Sequence, residues 1–332
     1  MCGVSVQTVS RVINQRPDVS PETRAAVEAA IERVGFQPSA VARSLVQRRS
    51  YTLGVIAAGL RYFGVAQTLN GITAESEASG YALLLKEIAS SGQVDIMPEI
   101  ALLMAHRVEG IIFAAPDLGA DLAEVRARLP RASPPIVFLK SDPSAAFSTI
   151  LIDNHAGARE ATRHLLSLGC RRIGHLAGPL TWHEARDRHA GWLDALRDAG
   201  QTPGPVRAGD WTSSSGADAF EAMLLEDPEM DGVFAANDQM ALGVLSVANR
   251  RGIAVPNALA VVGFDGMEEG AQFSPSLTTV RQPLRELGRL AVRELIEPSG
   301  SGTDGAAVRA LTLAPELVIR ESAPASRDRD MP

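Results

Sequence analysis

The stretch that decides the fold lies at residues 232–243, where Gly-Val-Phe-Ala-Ala is followed at once by Asn-Asp-Gln-Met-Ala-Leu-Gly. The first five residues form a short apolar run of the kind that fills a buried strand, and Asn237 and Asp238 supply side chains that cap a helix. Similar short apolar runs alternate with helical patterns from Tyr51 onward. This alternation is typical of βα units and predicts an α/β fold with mainly parallel sheets.

The number of predicted strands exceeds what one open sheet holds comfortably, so we divide residues 51–322 into two lobes and begin the second at Asp153. Residues 298–305 are predicted to be a flexible loop and residues 323–332 a disordered polar tail. The predicted strands are 53–58, 81–86, 110–115, 136–140, 149–152, 172–177, 206–209, 232–236, 260–264 and 277–280, with an antiparallel end at 310–319.

Length and composition describe an ordinary α/β protein. The 332 residues are enough for two domains and a third small one, and 45% hydrophobic with 21% charged residues excludes a disordered or collagen-like chain. No apolar run reaches the ~18 residues that a bilayer crossing needs, and no signal segment is visible at the N-terminus. We therefore expect a cytoplasmic protein. Cys2 and Cys170 are too few and too far apart for a metal cluster, so we predict no metal and no other cofactor.

Charge is distributed unevenly along the chain. Residues 1–50 carry seven arginines against four acidic residues, whereas the whole chain has a net charge of −7. Only the N-terminal segment is therefore suited to bind phosphates. A solvated helix face would give the same count, so charge alone leaves DNA contact open.

The first predicted helix in this basic segment runs through Asn14. Ser5 is its N-cap, because the hydroxyl can accept from the first free amides. Gln7 and Arg11 are four residues apart and project from the same side of the helix.

The second predicted helix has sharper boundaries. It begins at Ser20-Pro21-Glu22, which places a cap, a first-turn proline and an acid at the positive end of the helix dipole. It runs to Val34 and stops at Gly35. Residues 39–50 hold two further helical turns, too short to be stable alone, and a polar linker.

No catalytic motif is found. The sequence lacks a Walker A loop and G-x-S-x-G, and residues 183–187 (HEARD) lack the second histidine of H-E-x-x-H. The six histidines have no ligand spacing, and Ser213-Ser214-Ser215 suits a helix cap better than a nucleophile. We therefore expect that the protein is not an enzyme.

Several polar side chains fall where open α/β sheets bind ligands, at carboxyl ends of strands or amino ends of helices. A carboxylate, two amides, a guanidinium and an indole together suit a polyol, because they bind its hydroxyls and cover its C–H face. The alternative is that Asn237, Asp238 and Asp265 simply cap the helices that they precede. The residues are Arg186, Trp211, Asn237, Asp238, Asp265 and Gln282.

Seven stretches in order and spacing resemble the LacI/GalR family of transcriptional repressors, and the resemblance spans the chain to about Ser322. Gly209-Asp210-Trp211 resembles the lactose-repressor branch in particular. The stretches are 3–14 (GVSVQTVSRVIN), 19–24 (VSPETR), 177–179 (AGP), 190–192 (AGW), 237–243 (NDQMALG), 262–265 (VGFD) and 277–282 (LTTVRQ).

The resemblance implies a fold and its boundaries. The core is two-lobed and periplasmic-binding-protein-like, with two doubly wound parallel sheets, and a small all-α helix-turn-helix and a hinge precede it. The boundaries are 1–38 for a partial helix-turn-helix, 39–50 for the hinge helix and linker, and 51–322 for the core, with an N-lobe of about 51–152 plus 283–309 and a C-lobe of about 153–282 plus 310–322.

The resemblance also implies site residues. Val6, Gln7 and Arg11 match positions that read base edges in the major groove, where Gln suits adenine and Arg suits guanine. Leu45, with Ala42 beside it, matches the hinge position that wedges into the minor groove, although ordinary linker packing is the alternative. Phosphate contacts fall to Thr8, Ser10 and Asn14, and effector contacts to Arg186, Trp211, Asn237, Asp265 and Gln282.

Two departures from the family pattern modify these expectations. The chain opens at the turn, Met1-Cys2-Gly3, so it lacks the scaffold helix, and we favour an upstream start over poor DNA binding. Lys140 stands where the lactose type presents a carboxylate. We expect Lys140 and Arg186 to converge and to favour an anionic or phosphorylated sugar.

The resemblance implies a regulator, most simply a repressor, of carbohydrate genes. A small carbohydrate bound between the lobes of a homodimer would control binding to operator DNA. Induction and corepression fit equally well, and no leucine heptads follow Ile319 to predict a tetramer. The alternative is a sugar-binding module that does not bind DNA because its helix-turn-helix is truncated.

Overall fold

The computed structural model describes residues 3–13, 16–35, 49–89, 95–115, 122–139, 146–297 and 308–326. These residues form two compact units that divide between Tyr51 and Thr52. Within this described part, no helix combines the length and the apolar character that a membrane crossing requires. Asn14, Ala42, Leu45 and Lys140 lie outside the described residues.

The N-terminal unit contains helices α1 (Val6–Ile13) and α2 (Pro21–Val34), which contact each other. Ser5 Oγ accepts from the Thr8 amide at 3.2 Å, so the predicted cap of α1 is present. Ser20 Oγ accepts from the Thr23 amide at 3.3 Å, and Gly35 ends α2 at a φ of 60°, where glycine is favoured. The predicted capping of both helices is confirmed.

The N-lobe of the second unit is built on one six-stranded sheet. Its order is β11-β5-β4-β3-β1-β2, and every pairing is parallel. Its strands are β1 (Thr52–Ala58), β2 (Ala82–Ile88), β3 (Gly110–Ala114), β4 (Ile136–Leu139), β5 (Ser148–Ile152) and β11 (Ala310–Leu313); its helices are α3 (Phe63–Ala78), α4 (Met97–Ala105), α5 (Leu122–Arg128) and α10 (Leu284–Ile296).

The C-lobe repeats this plan with a second six-stranded sheet. Its order is β12-β10-β9-β8-β6-β7, parallel except for the antiparallel edge pair β10 and β12. Its strands are β6 (Ile173–Ala177), β7 (Val206–Ala208), β8 (Gly232–Ala235), β9 (Ala260–Asp265), β10 (Thr278–Arg281) and β12 (Glu316–Val318); its helices are α6 (Asn154–Ser167), α7 (His183–Asp198), α8 (Ser213–Glu226) and α9 (Asp238–Arg251), with a 3₁₀ turn at Glu268–Gln272.

The chain passes between the two sheets three times. It leaves the N-lobe after β5, returns between β10 and α10, and leaves again between β11 and β12. Carboxyl ends of the parallel strands therefore meet at the junction, where open sheets bind ligands. The predicted fold class, α/β with two parallel-dominated sheets in two lobes, is confirmed.

The C-terminal end of the core differs from the prediction in two respects. Residues 310–313 pair in parallel with β5, so they belong to the N-lobe sheet and not to the C-lobe. Pro315 lacks an N–H and interrupts the ladder, so the predicted single antiparallel segment is two strands in two sheets. Ala323 belongs to the core and not to the predicted tail, because it is fully buried and its carbonyl accepts from the Thr278 hydroxyl at 3.0 Å.

Two glycines in the motifs have a packing function. A side chain at Gly191 on α7 would overlap the His155 carbonyl on α6, and one at Gly243 on α9 would overlap the Ser213 carbonyl on α8. These glycines therefore let two helix pairs of the C-lobe approach closely.

Candidate functional site

A cleft lies between the two lobes and contains about 520 Å³ of space outside the protein atoms, part of it open to solvent. Small-molecule sites are concave and mostly apolar, with a few precisely placed polar groups. The lining combines aromatic rings with a few polar groups, as such sites do. Its residues are Tyr62, Phe63, Gly64, Val65, Ile152, Asn154, Trp182, Glu184, Arg188, Trp211, Asn237, Gln239, Asp265 and Gln282.

Arg188 on α7 is the buried cation of the cleft, with its side chain 6% exposed. Its Nε donates to Asn154 Oδ1 at 2.8 Å, and Nη1 donates to the Ala236 carbonyl at 2.5 Å and lies 3.7 Å from Asp265 Oδ1. Burial lowers the pKa of the guanidinium, while the Asp265 and Glu184 charges oppose that shift. The Arg188 guanidinium is thus already paired with several acceptors of the protein itself.

Asp265 is the last residue of β9 and is held in a conformation that L-residues rarely adopt, with φ at 121°. Its Oδ1 accepts from Gln282 Nε2 at 2.6 Å. Strained backbone at a cleft is typical of functional sites, where neighbouring contacts hold the residue in place. The capping alternative is wrong for Asp265, because Met267, and not Asp265, stands at the N-cap position of the next helical turn.

Trp211 forms an aromatic wall after β7 and also has a positive φ, 75°. Asn237 Nδ2 donates to the Trp211 carbonyl at 3.0 Å, while Asn237 Oδ1 accepts from the Met240 amide at 2.9 Å and caps α9. Asn237 therefore caps α9 and also holds the backbone of Trp211 in place. The indole packs edge-on with Trp182, which in turn meets Tyr62 of the N-lobe.

Behind the cleft, Asp238 is fully buried at the start of α9. It accepts from the Thr279 hydroxyl at 2.6 Å and from the Met267 amide at 2.8 Å. Burial, together with the nearby Asp265 charge, raises the pKa of Asp238 to about 8. These contacts anchor the loop that follows Asp265.

Four of the predicted effector residues, Trp211, Asn237, Asp265 and Gln282, lie together in the cleft. Arg186 does not line it. That side chain is exposed and donates to the Thr181 and Leu180 carbonyls at 3.0 and 3.4 Å. On a helix, two residues further turn the side chain by about 200°, so Arg188 faces the cleft instead.

The expectation of two convergent cations is therefore wrong for Arg186. The described lining residues hold one cation, Arg188, against two carboxylates, Glu184 and Asp265. They also form no group of three or more side chains suited to a metal ion within the described part of the chain.

Sequence reasoning missed Arg188, Glu184, Asn154 and Trp182. A signal for the first two was available, because Glu184 and Arg188 are four residues apart and share a helix face with the Trp192 of the AGW motif. Asn154 and Trp182 also lie in the C-lobe, at the amino ends of α6 and α7, where they contact Arg188 and Trp211.

The predicted base-reading face of α1 is exposed. Val6 is 86% exposed, Gln7 and Ser10 are exposed and Thr8 is half-buried. Arg11 pairs with Asp18 at 3.6 Å, and both side chains are more than half exposed. Such a pair contributes little stability, so the guanidinium is available to a stronger partner.

Comparison with known proteins identifies both parts of the chain. A model described as bacterial regulatory proteins of the lacI family matches residues 1–39, and one for a periplasmic binding protein-like domain matches residues 162–323. The lactose operon repressor of Escherichia coli (strain K12) is 33% identical over 96% of this chain and 87% of its own length. The repressor PurR of Pasteurella multocida (strain Pm70) is 32% identical over 97% and 96%.

Solved structures are similar in fold. The lac repressor dimer bound to operator and the anti-inducer ONPF has a TM-score of 0.87 at 32% identity, covering 97% of this chain and 96% of that one. The transcriptional regulator CelR in complex with cellobiose has a TM-score of 0.71 at 31% identity, covering 97% of each chain.

A ligand cleft between two periplasmic-binding-like lobes, preceded in sequence by a helix-turn-helix, defines a DNA-binding regulator with a ligand-binding core. The sequence identity extends over nearly the whole chain. The chain belongs to the LacI family of bacterial regulatory proteins, which confirms the resemblance seen in the sequence motifs.

Proposed function

We propose that this regulator is a homodimeric repressor of carbohydrate-metabolism genes whose operator binding is controlled by a small neutral sugar bound in the cleft between the lobes. The observation that carries the proposal is the lining of that cleft, where acceptors, donors and an indole face are combined. Asp265, Gln282 and Asn237 suit hydroxyl groups, and Trp211 suits the C–H face of a sugar ring.

Relatives support this assignment. The lac repressor was solved with operator and ONPF and also with ONPG, and CelR was solved with cellobiose. The charge of the described lining favours a neutral effector over the anionic one expected from the sequence, because Arg188 is already engaged by Asp265, Asn154 and Ala236. Its action on DNA would place the protein in the cytoplasm.

In the proposed mechanism, α1 supplies base contacts through Val6, Gln7 and Arg11, with Thr8, Ser10 and Asn14 on phosphates. The segment containing Ala42 and Leu45 would contact the minor groove. Effector binding would shift the population between lobe arrangements and so change operator affinity, ordinarily by about 5- to 150-fold.

The proposal is tested in two steps with the full chain. An operator is first selected from random duplexes, and its affinity is measured by fluorescence anisotropy at fixed salt. A panel of neutral mono- and disaccharides is then added. We expect at least one sugar to change operator affinity several-fold. Sugar binding without any selected operator would instead support a binding module that does not contact DNA.

A further inference from the structure

Two buried polar atoms in the cleft have no partner within the described structure. They are Glu184 Oε2 on α7 and Trp211 Nε1 after β7. Both residues are 6% exposed and both line the cleft. A buried acceptor or donor without a partner costs free energy, so native proteins seldom keep one unless a water or ligand completes it.

The neighbouring polar groups already have partners within the protein. Arg188 donates to Asn154 and Ala236, Asp265 accepts from Gln282, and Asn237 donates to the Trp211 carbonyl. Glu184 is one helical turn before Arg188 on the same face, but the guanidinium of Arg188 lies against Asp265 and not in a bond to Glu184. The Glu184 carboxylate is therefore an acceptor of the cleft that has no protein partner of its own and can receive a donor from a bound molecule.

The two unpartnered atoms, Glu184 Oε2 and Trp211 Nε1, require different hydrogen-bonding partners. A carboxylate oxygen accepts hydrogen bonds only, whereas an indole N–H only donates. A hydroxyl satisfies either one, and an ammonium suits the carboxylate. A ligand carboxylate or phosphate placed near Glu184 would bring like charges together at a site removed from water, where their repulsion is strong.

Building on the proposed function, we infer that Glu184 is the specificity-determining residue of the cleft. Its carboxylate accepts from the effector, so the cleft takes sugars that present hydroxyl or ammonium donors to α7 and rejects the carboxylated or phosphorylated forms of the same sugar.

The test is a series of binding measurements on the full chain, made by tryptophan fluorescence or by calorimetry. The ligands are one neutral hexose that binds, its 2-amino form, its 6-carboxylate and its 6-phosphate. The variants are Glu184→Gln, which keeps the shape and removes the charge, and Glu160→Gln, an exposed glutamate on α6, as the matched control.

Wild-type protein is expected to bind the neutral and amino forms at least about tenfold more tightly than the two anionic forms. Glu184→Gln should reduce the ratio of the neutral-form affinity to the anionic-form affinity by about tenfold, whereas Glu160→Gln should leave this ratio unchanged. An unchanged ratio in Glu184→Gln, or a wild-type preference for an anionic form, would overturn the inference and leave the proposed function standing.

A second measurement keeps the inference separate from the proposed function. Glu184→Gln without sugar should still unfold cooperatively and should still bind the neutral hexose, although it loses a charge that stabilises the buried Arg188 guanidinium. A folded variant that keeps the full wild-type discrimination against the anionic forms would overturn the inference. If none of the neutral sugars binds wild-type protein, the proposed function fails and the effector class inferred here fails with it.

Discussion

Arg188 Nη1 lies 3.7 Å from Asp265 Oδ1, so a helix and a strand of the C-lobe share a buried ion pair at the cleft. Each partner of this ion pair also makes a hydrogen bond to a residue near a crossing between the lobes. Asn154, just after the first crossing between lobes, accepts from Arg188, and Gln282, at the second crossing, donates to Asp265. A ligand that contacts this network therefore contacts two of the segments that join the lobes.

Arg188→Met should destabilise the core strongly. Removing one partner of a buried pair leaves the other charge uncompensated, which costs about 3–5 kcal/mol in free energy of unfolding. Arg186→Met is the matched control, because Arg186 lies on the same helix but is exposed. We expect the control to change stability by no more than about 0.5–1 kcal/mol. Urea unfolding of both variants measures the difference, and equal losses would contradict the assignment of Arg188 as the cleft arginine.

Gly178→Ala should disturb the aromatic wall. A Cβ at residue 178 would overlap the Trp211 indole, so the ring must move. Overpacking of this kind costs about 1–3 kcal/mol in stability. Because Trp211 covers the sugar face in the proposed complex, sugar affinity should fall while operator affinity without sugar is kept. Calorimetry measures the sugar affinity, and fluorescence anisotropy measures the operator affinity. A variant with wild-type sugar affinity would indicate that Trp211 does not contact the ligand.

Gln7→Ala and Arg11→Ala should each weaken specific operator binding. Loss of a bidentate base contact costs about 1–3 kcal/mol and relaxes specificity at the base pair it reads. Glu28→Ala, at an exposed position of α2, serves as the control. Anisotropy with operators altered one base pair at a time gives the result. Uniform weakening across all sequences would assign both residues to phosphate contacts.

Asp238 should make stability depend on pH. Its pKa rises from the ordinary 3.8 to about 8 in the folded protein, mainly through burial. The folded state then holds a proton that the unfolded state has lost, so this contribution to stability is complete below pH 4 and disappears as pH rises through 8.

Wild-type stability is therefore expected to fall between about pH 5 and pH 8 relative to Asp238→Asn, which cannot titrate. Urea unfolding of the two proteins at several pH values measures the trend. Parallel pH profiles would show that Asp238 is ionised in the folded state, held by its bonds from Thr279 and Met267.

Most of the fold could be predicted from the sequence because the signals for its strands and helix ends are local. Apolar runs fixed the strands, and Ser20 and Gly35 fixed the ends of α2. The single error of topology was at 310–319, where Pro315 divides one apolar pattern between two sheets. Which sheet a short edge strand joins depends on contacts far away in sequence, and no local pattern records it.

The cleft was less predictable, for a geometric reason. Asn237, Asp265 and Gln282 could be found because strand ends converge at one edge of a sheet. The prediction of Arg186 is wrong because the phase of the helix that begins at His183 turns residues 184 and 188 toward the cleft and residue 186 away from it. The positive φ of Asp265 and of Trp211 left no trace in the sequence, since neither is a glycine.

The central claim, that the cleft controls DNA binding, is tested most directly with Asp265→Asn. Asparagine keeps the shape of the side chain and removes its charge. Because this also removes one partner of the buried pair with Arg188, the two proteins are compared at a temperature where urea unfolding shows both to be folded. Operator affinity is measured for wild type and variant, each with and without a sugar that acts on the wild type. We predict equal affinities without sugar, and a sugar effect that is present in the wild type and lost or greatly reduced in the variant. An undiminished sugar response in Asp265→Asn would contradict the account.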